Sequence, residues 1–210
     1  MTTIAIIPAG GKGLRSGSAT PKQYLKVHGR EVIVYTLQTF QKNKLIDRII
    51  ISAEPDYINH LIKLVKKYKL NKVDLIVEGG ITRQDSVYNA VLSSGANAKD
   101  LLVVHDAARA LLPEAVLSNA ILTAKKKGNA LVCIKAKDTL IKGKSAVTEY
   151  LNRDEFYYVQ TPQIFKYRDL QSALGKAHSE QFFGTDESML VKRTGKKVNI
   201  VEGSVFNFKI

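Results

Sequence analysis

A glycine-rich loop followed by two cations is the first part of this sequence that could do chemistry. Residues 8–17 read Pro-Ala-Gly-Gly-Lys-Gly-Leu-Arg-Ser-Gly, and Lys22 follows directly after Pro21. Glycines let backbone N–H groups point inward and cradle phosphate oxygens. Arg15 and Lys22 add positive charge, which suits a nucleoside triphosphate whose negative charge grows in the transition state. The loop is not a Walker A motif, because no Gly-Lys-Ser/Thr follows at the required spacing.

A second candidate is the run His105-Asp106-Ala107-Ala108-Arg109, which comes directly after the apolar run 101–104. A carboxylate at that position would reach the mouth of a site at the end of a strand. Because Mg²⁺ prefers one or two carboxylates together with phosphate oxygens and water, Asp106 is a candidate metal ligand. The competing interpretation is a helix N-cap or an ion pair with Arg109. His105 is expected to pack or to hydrogen-bond rather than to act in acid–base catalysis.

The elements that must position these residues follow from the apolar pattern. Short apolar runs predict strands at 4–7, 47–52, 73–77, 101–104, 130–134 and 198–201. Apolar residues at helical spacing predict helices around 33–40, 58–65, 83–93, 117–124, 167–177 and 185–192. Strands and helices that alternate in this way indicate an α/β fold, with a mostly parallel sheet covered by helices on both faces. Ligands of such folds bind beyond the carboxyl ends of the strands, where the glycine loop and Asp106 lie.

Composition limits the class of protein. The chain has 210 residues, of which 45% are apolar, and it carries 32 lysines and arginines against 19 acidic residues. This is a globular composition, and we expect a single domain over residues 1–210. The formal charge of +13 predicts anionic partners, but the lysine clusters look like solvated helix ends. The one cysteine, Cys133, is predicted to be a buried core thiol.

The expected location is the cytoplasm. A lone cysteine fits a reducing compartment, and no apolar run is long enough to span a bilayer. The first residues read as a strand rather than as a signal peptide. We therefore expect no membrane partner.

Residues 137–153 interrupt the alternation, because they are polar and contain Gly143 between two short alternating stretches. This pattern predicts a hairpin rather than a helix that covers the sheet. The simplest interpretation is a mobile surface hairpin. The sharper hypothesis is a dimerisation arm, at about 137–155, that packs on a second subunit.

Taken together, the motifs resemble the 2-C-methyl-D-erythritol 4-phosphate cytidylyltransferase family. The matching segments span nearly the whole chain in the order that the family shows. They are residues 9–15, 21–24, 79–80 with 83–87, 105–109, 138–139, 152–154, 160–163, 185–187 and 207–209.

The resemblance implies a Rossmann-like nucleotidyltransferase fold with a protruding β-arm. It implies that CTP and methylerythritol phosphate are joined with release of pyrophosphate, in non-mevalonate isoprenoid synthesis. It further implies Mg²⁺ as the cofactor, a homodimer, and a role for each site residue. The implied catalytic residues are Arg15, Lys22 and Lys209, and Asp106 is implied to support the metal. The implied nucleotide-binding residues are Ala9, Gly10, Gly11, Gly13, Gly80, Ser86 and Asp106. The sugar phosphate is implied to be held by Thr161, Thr185, Asp106 and Arg153, the last of which would come from the partner's arm.

One expectation concerns Lys209, which is followed only by Ile210 in this sequence. Chain ends are poorly ordered unless they are tied down, so we expect Lys209 to be frayed and poorly held.

Three different functions stay open at this point. The first is that of a CTP-dependent ribitol 5-phosphate cytidylyltransferase, which shares the glycine loop, the lysine and the Thr-Pro-Gln element. The second is that of a nucleic-acid-binding module, but no zinc-finger spacing, RNA-recognition strand or KH loop supports it, so we predict no nucleic-acid partner. The third is that of a catalytically idle relative.

Overall fold

The computed structural model describes residues 1–11 and 20–210. Eleven strands form in this part of the chain. They are β1 (Thr3–Pro8), β2 (Lys26–Val27), β3 (Arg30–Glu31), β4 (Arg48–Ala53), β5 (Val73–Glu78), β6 (Leu101–Val104), β7 (Asn129–Lys135), β8 (Leu140–Gly143), β9 (Val147–Leu151), β10 (Tyr157–Lys166) and β11 (Ile200–Glu202).

Six α-helices lie between these strands in the same described ranges. They are α1 (Val32–Lys42), α2 (Pro55–Lys67), α3 (Arg83–Ser93), α4 (Glu114–Lys127), α5 (Tyr167–Ser179) and α6 (Glu187–Arg193). Two of them show clear end signals. Thr82 and Asp85 form a reciprocal capping box at the start of α3, and α4 ends at Gly128, whose φ of 90° is favourable only for glycine.

Seven strands form one sheet in the order β11-β7-β10-β6-β1-β4-β5. Strand β1 runs parallel to both of its neighbours, β4 and β6, and β4 runs parallel to β5. Strand β10 is antiparallel to β6 and to β7. The chain moves outward from β1 to β4 and β5, and then returns to the other side of β1 to form β6. This reversal opens a crevice beyond the carboxyl end of β1, where ligands bind in folds of this kind.

The core has two layers because successive strand residues point to opposite faces of the sheet. In β1, Ala5 and Ile7 pack on one face, whereas Ile4 and Ile6 pack on the other. Helices α1, α2 and α4 cover the first face, and α3, α5 and α6 cover the second. The central strands are therefore buried on both sides, which explains their continuous apolar runs.

The predicted fold class is confirmed: the sheet is mostly parallel and helices cover both faces. The ends of some elements differ from the prediction. The last strand occupies Ile200–Glu202 rather than 198–201, and α6 starts at Glu187 because Asp186 caps it by accepting from the Met189 backbone N–H. No helix of the described residues combines the length and apolar character that crossing a membrane requires.

Residues 140–151 form the predicted hairpin, in which β8 and β9 pair antiparallel as a separate two-stranded sheet. All residues of the two strands are exposed or half-buried. Cys133 is buried as predicted, and burial raises the pKa of its thiol to about 11.

Candidate functional site

A cleft with a volume of about 1310 Å³ opens at the carboxyl ends of β1, β5 and β6. It brings together eight of the residues that the sequence analysis singled out, although they lie up to 200 positions apart. These are Ala9, Gly10, Gly11, Lys22, Gly80, Ser86, Asp106 and Lys209.

The loop that follows β5 lines one side of the cleft, and Ser86 in the first turn of α3 holds it in place. Its hydroxyl accepts a hydrogen bond from the Gly80 backbone N–H at 3.0 Å and donates to the Thr82 carbonyl at 2.9 Å. A Cβ at Gly80 would lie 2.2 Å from the Cβ of Asp85, which no side chain could tolerate. Glycine is therefore required where the loop after β5 passes close to α3, and the loop keeps its backbone open to the cleft.

Gln23 fixes Lys22 beside the glycine loop. The buried Gln23 amide donates to the Ala9 carbonyl at 2.6 Å and to the Gly11 carbonyl at 3.0 Å. Lys22 begins the 3₁₀ turn that contains Gln23, so its half-buried side chain lines the cleft next to the loop. This contact gives a physical reason why the lysine motif, eleven residues after Gly11, belongs to the same site.

Asp106 is the centre of a charge cluster. Its Oδ1 accepts from Arg83 Nε at 2.9 Å, and its Oδ2 lies 3.0 Å from Lys209 Nζ and 3.5 Å from Arg109 Nε. Arg83 also binds Glu187, with Nη1 2.6 Å from Oε1 and Nη2 3.1 Å from Oε2. The ion pair with Arg109 that the sequence suggested is thus present, but it is the longest of the three contacts.

The cluster keeps Asp106 ionised. Burial by itself would raise the pKa of the Asp106 carboxyl, but the charges of Arg83 and Lys209 outweigh it, so the pKa lies well below its usual value. Burial likewise favours neutral Arg83, but Glu187 and Asp106 reverse this and raise the pKa of Arg83 above its usual value. Asp106 therefore acts as a fixed negative charge and not as a proton donor.

The expectation that Lys209 is frayed is wrong, because the last residues are tied to the site. Arg109 Nη1 donates to the Asn207 carbonyl at 2.6 Å, and the Ile210 backbone N–H donates to the Ala108 carbonyl at 3.0 Å. Asn207 is fully buried, and its amide donates to the Thr161 carbonyl at 2.7 Å. These hydrogen bonds hold Lys209 over Asp106.

Thr161 holds the backbone of Asp106 and is itself in contact with His105. The Thr161 hydroxyl accepts from the Asp106 backbone N–H at 3.1 Å and lies 3.0 Å from His105 Nδ1. Thr161 comes to this place because the pairing of β10 with β7 shifts register between Val159 and Gln163, and a bulge of this kind redirects side chains. His105 is buried, as predicted, and burial lowers its pKa to about 4, so it is neutral at pH 7.

Of the remaining site predictions, those that the structure describes do not line this cleft. Arg15 and Gly13 lie outside the described residues. Arg153 is exposed in the 3₁₀ turn after the hairpin, where its guanidinium donates to the Lys137 carbonyl at 2.9 Å. Thr185 is exposed just before α6. The buried Thr161 is not one of the residues that line the cleft. The roles of these residues toward a substrate stay predictions.

The residues that hold the site together were not predicted from the sequence. No role was predicted for Gln23, Arg83, Glu187 or Asn207, although each lies inside one of the motifs named above. A single buried glutamate at the start of a helix produces no repeating pattern in the sequence that would reveal its burial. Its arginine partner lies 104 positions away. Only the topology, which places α3 and α6 on the same face of the sheet, brings the two together.

The described residues contain no group of three or more histidine, cysteine, aspartate or glutamate side chains that could hold a metal ion. Asp106 offers one carboxylate to the cleft, and both of its oxygens already face cations. This donor set fits a Mg²⁺ ion only if most of the ligands come from phosphate oxygens and water, as is usual for Mg²⁺ with nucleotides.

Comparisons with known proteins identify the family of the chain. The model of the family described as "IspD: 2-C-methyl-D-erythritol 4-phosphate cytidylyltransferase" matches residues 3–210. A relative of that name from Syntrophus aciditrophicus is 38% identical over 99% of this chain and 89% of its own length. One from Bacillus mycoides is 37% identical over 98% of this chain and 90% of its own length.

Solved structures give the same result. The 4-diphosphocytidyl-2C-methyl-D-erythritol synthase of Anaerococcus prevotii is similar with a TM-score of 0.86 and 29% identity, over 100% of this chain and 90% of that one. The 2-C-methyl-D-erythritol 4-phosphate cytidylyltransferase of Thermus thermophilus has a TM-score of 0.79 and 28% identity, over 100% and 93%. The chain therefore belongs to the 2-C-methyl-D-erythritol 4-phosphate cytidylyltransferase family, a family of nucleotidyltransferases.

Proposed function

We propose that the cleft transfers the cytidylyl group of CTP to 2-C-methyl-D-erythritol 4-phosphate and releases pyrophosphate. The observation that supports this most strongly is the placement of Lys22 and Lys209 in one cleft with the glycine backbones and Asp106. The phosphate oxygen of the sugar phosphate attacks the α-phosphorus of CTP, the bond to the β-phosphate bridge breaks, and pyrophosphate leaves with the electron pair.

Cations supply most of the catalysis in this proposal. Transfer of this kind needs positioning and charge neutralisation rather than a covalent nucleophile. Lys22 acts as a point charge beside the glycine loop, and Arg15, by resemblance to the family, supplies a second charge for the triphosphate. Lys209 lines the same cleft beside Asp106, where its side chain is 43% exposed and its ammonium can meet a phosphate oxygen.

The reaction needs no general base, because the attacking phosphate oxygen is already an anion. This fits the site, since Asp106 is held ionised and His105 is held neutral by burial. Asp106 instead contacts the ribose of CTP.

The cytosine of CTP lies against the backbone near Ala9, Gly10 and Gly80, with Ser86 nearby. All four residues line the cleft, and the loops after β1 and β5 carry the two glycines. Because a glycine has no side chain, a flat base can approach the backbone closely there.

In this proposal, magnesium binds to the protein together with the nucleotide. Asp106 is the residue that we assign to it, as a single ligand or neighbour, with phosphate oxygens and water completing the shell. When bound, the ion would neutralise part of the triphosphate charge. The protein side chains carry out the positioning described above.

The sugar phosphate is assigned to Arg153, Thr185 and Thr161. Arginine binds phosphate through two parallel hydrogen bonds, which suits a phosphate group that does not react at phosphorus. Because Arg153 follows the hairpin and is absent from the residues that line the cleft of its own chain, we assign it to the active site of a partner subunit. The hairpin and its flanks, at about 137–155, then form a dimerisation arm.

An exposed apolar surface supports the homodimer. It follows the half of β10 that lies next to the hairpin and continues onto the segment after β11. Large apolar side chains that are more than a third exposed there are Tyr157, Tyr158, Val159, Ile200, Val205 and Phe206. Large apolar side chains exposed in this way are what a protein interface covers.

The remaining partner and location assignments follow from the same activity. CTP and a sugar-alcohol phosphate account for the need for positive charge, without a nucleic acid or a membrane. The single buried cysteine fits the reducing cytoplasm, to which we assign the enzyme.

Pyrophosphate release from CTP tests both the proposal and the ribitol phosphate activity in one experiment. The purified protein is given CTP and Mg²⁺ with either methylerythritol phosphate or ribitol 5-phosphate. We expect kcat/KM to be at least about tenfold higher with methylerythritol phosphate. A preference for ribitol 5-phosphate would replace the acceptor but keep cytidylyl transfer.

A binding measurement distinguishes an active enzyme from an idle relative and from a nucleic-acid-binding module. CTP with Mg²⁺ should raise the unfolding midpoint, because a ligand that binds only the folded state stabilises it. A raised midpoint without turnover would indicate a catalytically idle relative. Salt-sensitive DNA binding without any effect of CTP would favour a nucleic-acid-binding module.

A further inference from the structure

Glu187 is a buried carboxylate that the mechanism above does not use. Its side chain is only 2% exposed, at the first residue of α6. A buried carboxylate is costly unless it is paired and hydrogen-bonded. Both of its oxygens accept from Arg83, at 2.6 and 3.1 Å, so the pair is bidentate.

The third nitrogen of the same guanidinium, Nε, points to a residue of the cleft. Arg83 Nε donates to Asp106 Oδ1 at 2.9 Å. Because a guanidinium is planar and rigid, the two bonds to Glu187 fix the direction in which Nε points. Glu187 therefore determines where Arg83 can hold the carboxylate of Asp106.

Gln84, next to Arg83, binds the chain just before α6. Its amide donates to the Phe182 carbonyl at 3.0 Å, and its Oε1 accepts from the Gly184 backbone N–H at 2.9 Å. The first turn of α3 thus holds residues 182–187 by two adjacent side chains. That segment contains Thr185, whereas Ser86 in the same turn of α3 lines the nucleotide cleft.

The charges of the cluster explain why Lys209 can act on a phosphate. Two carboxylates, Asp106 and Glu187, face three cations, so the cluster carries one surplus positive charge. Lys209 is the most exposed of the three cations, at 43%. Its ammonium can turn from Asp106 to a phosphate oxygen only if Asp106 keeps another cation. Arg83, held by Glu187, is the nearer such cation at 2.9 Å, and Arg109 lies at 3.5 Å.

We propose that Glu187 is a positioning residue that acts through Arg83: it fixes the carboxylate of Asp106 and holds the 182–187 segment in register with the nucleotide cleft. The proposal rests on the proposed function only in assigning Asp106 to CTP and Thr185 to the sugar phosphate. Neither substrate needs to touch Glu187 itself.

Two conservative variants and their combination test this pair. Glu187→Asp keeps the charge but shortens the side chain, and Arg83→Lys keeps the charge but loses the planar fork. Each should lower kcat/KM for methylerythritol phosphate by about 10- to 100-fold, because misplacement by about 1 Å costs on that order. The effect should appear in kcat, in KM for the sugar phosphate and in CTP affinity measured by calorimetry, because Asp106 is the residue assigned to CTP.

The double variant Arg83→Lys with Glu187→Asp distinguishes a coupled pair from two independent residues. Coupling predicts that it loses no more activity than the worse single variant, whereas independent effects would multiply. The matched control is the exposed pair of Arg48 and Asp74, where Arg48→Lys and Asp74→Asn should leave kcat and KM unchanged.

A merely structural role would lower the unfolding midpoint but leave kcat and KM of the folded protein at wild-type values, and this outcome would overturn the proposal. If the variants of Arg83 and Glu187 fail to fold, Gln84→Ala still tests whether the first turn of α3 holds residues 182–187 in place. It should raise KM for the sugar phosphate severalfold with CTP affinity unchanged, and an unchanged KM would contradict us. A wild-type protein that releases no pyrophosphate would instead refute the proposed function.

Discussion

The cleft and the hairpin surface are built in opposite ways. Around Asp106, buried side chains such as Gln23, Glu187 and Asn207 are each tied by hydrogen bonds to distant parts of the chain. Along β8 and β9, by contrast, every residue is exposed or half-buried, and the neighbouring part of β10 presents apolar side chains to solvent. The cleft is thus pre-organised within one chain, whereas the surface with Arg153 lacks a covering partner among the described residues.

This difference suggests how the two substrates are handled. A pre-organised cleft loses little conformational freedom when a triphosphate binds. A phosphate held by Arg153 from a second subunit would instead depend on the dimer. Variants in the two regions should therefore have different effects: those in the cleft should affect catalysis in each chain, and those at the hairpin should be rescued by a partner.

The largest effect is expected at Lys22. Lys22→Ala should lower kcat by about 1000-fold, because removing a preorganised charge that stabilises a developing anion costs about 10²–10³ or more. The unfolding midpoint should hardly change, since the side chain is half-buried at the cleft wall. Steady-state pyrophosphate release measures the loss. The exposed Lys26 is the matched control, and a Lys26→Ala protein should keep wild-type rates; if both variants behave alike, Lys22 has no catalytic role.

The next effect concerns the hairpin. Arg153→Ala should raise KM for methylerythritol phosphate by roughly 10- to 100-fold, because a bidentate hydrogen-bonded pair with a charged group is lost, while CTP affinity stays near the wild-type value. Arg168→Ala, at an exposed arginine of α5, is the control.

Subunit mixing tests where Arg153 acts. If the site is shared, a mixture of Arg153→Ala and Lys22→Ala proteins should regain part of the activity, because some mixed dimers contain one intact site. No recovery would place both residues in a site within one chain and remove the contrast between cleft and hairpin.

A smaller effect is expected at Gln23, which holds the loop rather than the substrate. Gln23→Ala leaves the Ala9 and Gly11 carbonyls without their donor, at a cost of about 1–3 kcal/mol in the free energy of unfolding. KM for CTP should rise by roughly tenfold, because the glycine loop is less well held. Gln41→Ala removes a comparable contact to the Lys72 backbone N–H far along the sheet, and it should change stability only. A KM for CTP that stays at the wild-type value would show that the loop does not need Gln23.

The pH dependence of the free energy of unfolding should reveal the lowered pKa of His105. Its folded pKa of about 4 lies below the value near 6.5 of an unfolded histidine. Between these values the unfolded state binds the extra proton, so the free energy of unfolding falls as the pH is lowered from about 6.5 to 4, by about 3 kcal/mol. Denaturant titrations at several pH values measure this slope. A His105→Asn protein should lack that part of the slope, and an equal slope in both proteins would contradict the assignment.

The sequence predicted the fold well, and one cleft brings together eight of the residues that it singled out, for a physical reason. Buried strands such as 101–104 are continuous apolar runs, and glycine loops at their carboxyl ends must face the crevice. The sequence did not predict the Arg83–Glu187 pair or the way in which Asn207 ties down Lys209, because these contacts join residues that only the folded chain brings together. The roles of Arg153 and Thr185 stay predictions, since neither lines the cleft of one chain.

A crystal structure of the protein with CTP tests the central claim most directly. We expect the triphosphate to lie in the cleft between the Gly10–Gly11 backbone, Lys22 and Lys209, with the ribose next to Asp106. A triphosphate bound elsewhere, or one in this cleft that neither lysine contacts, would contradict the account.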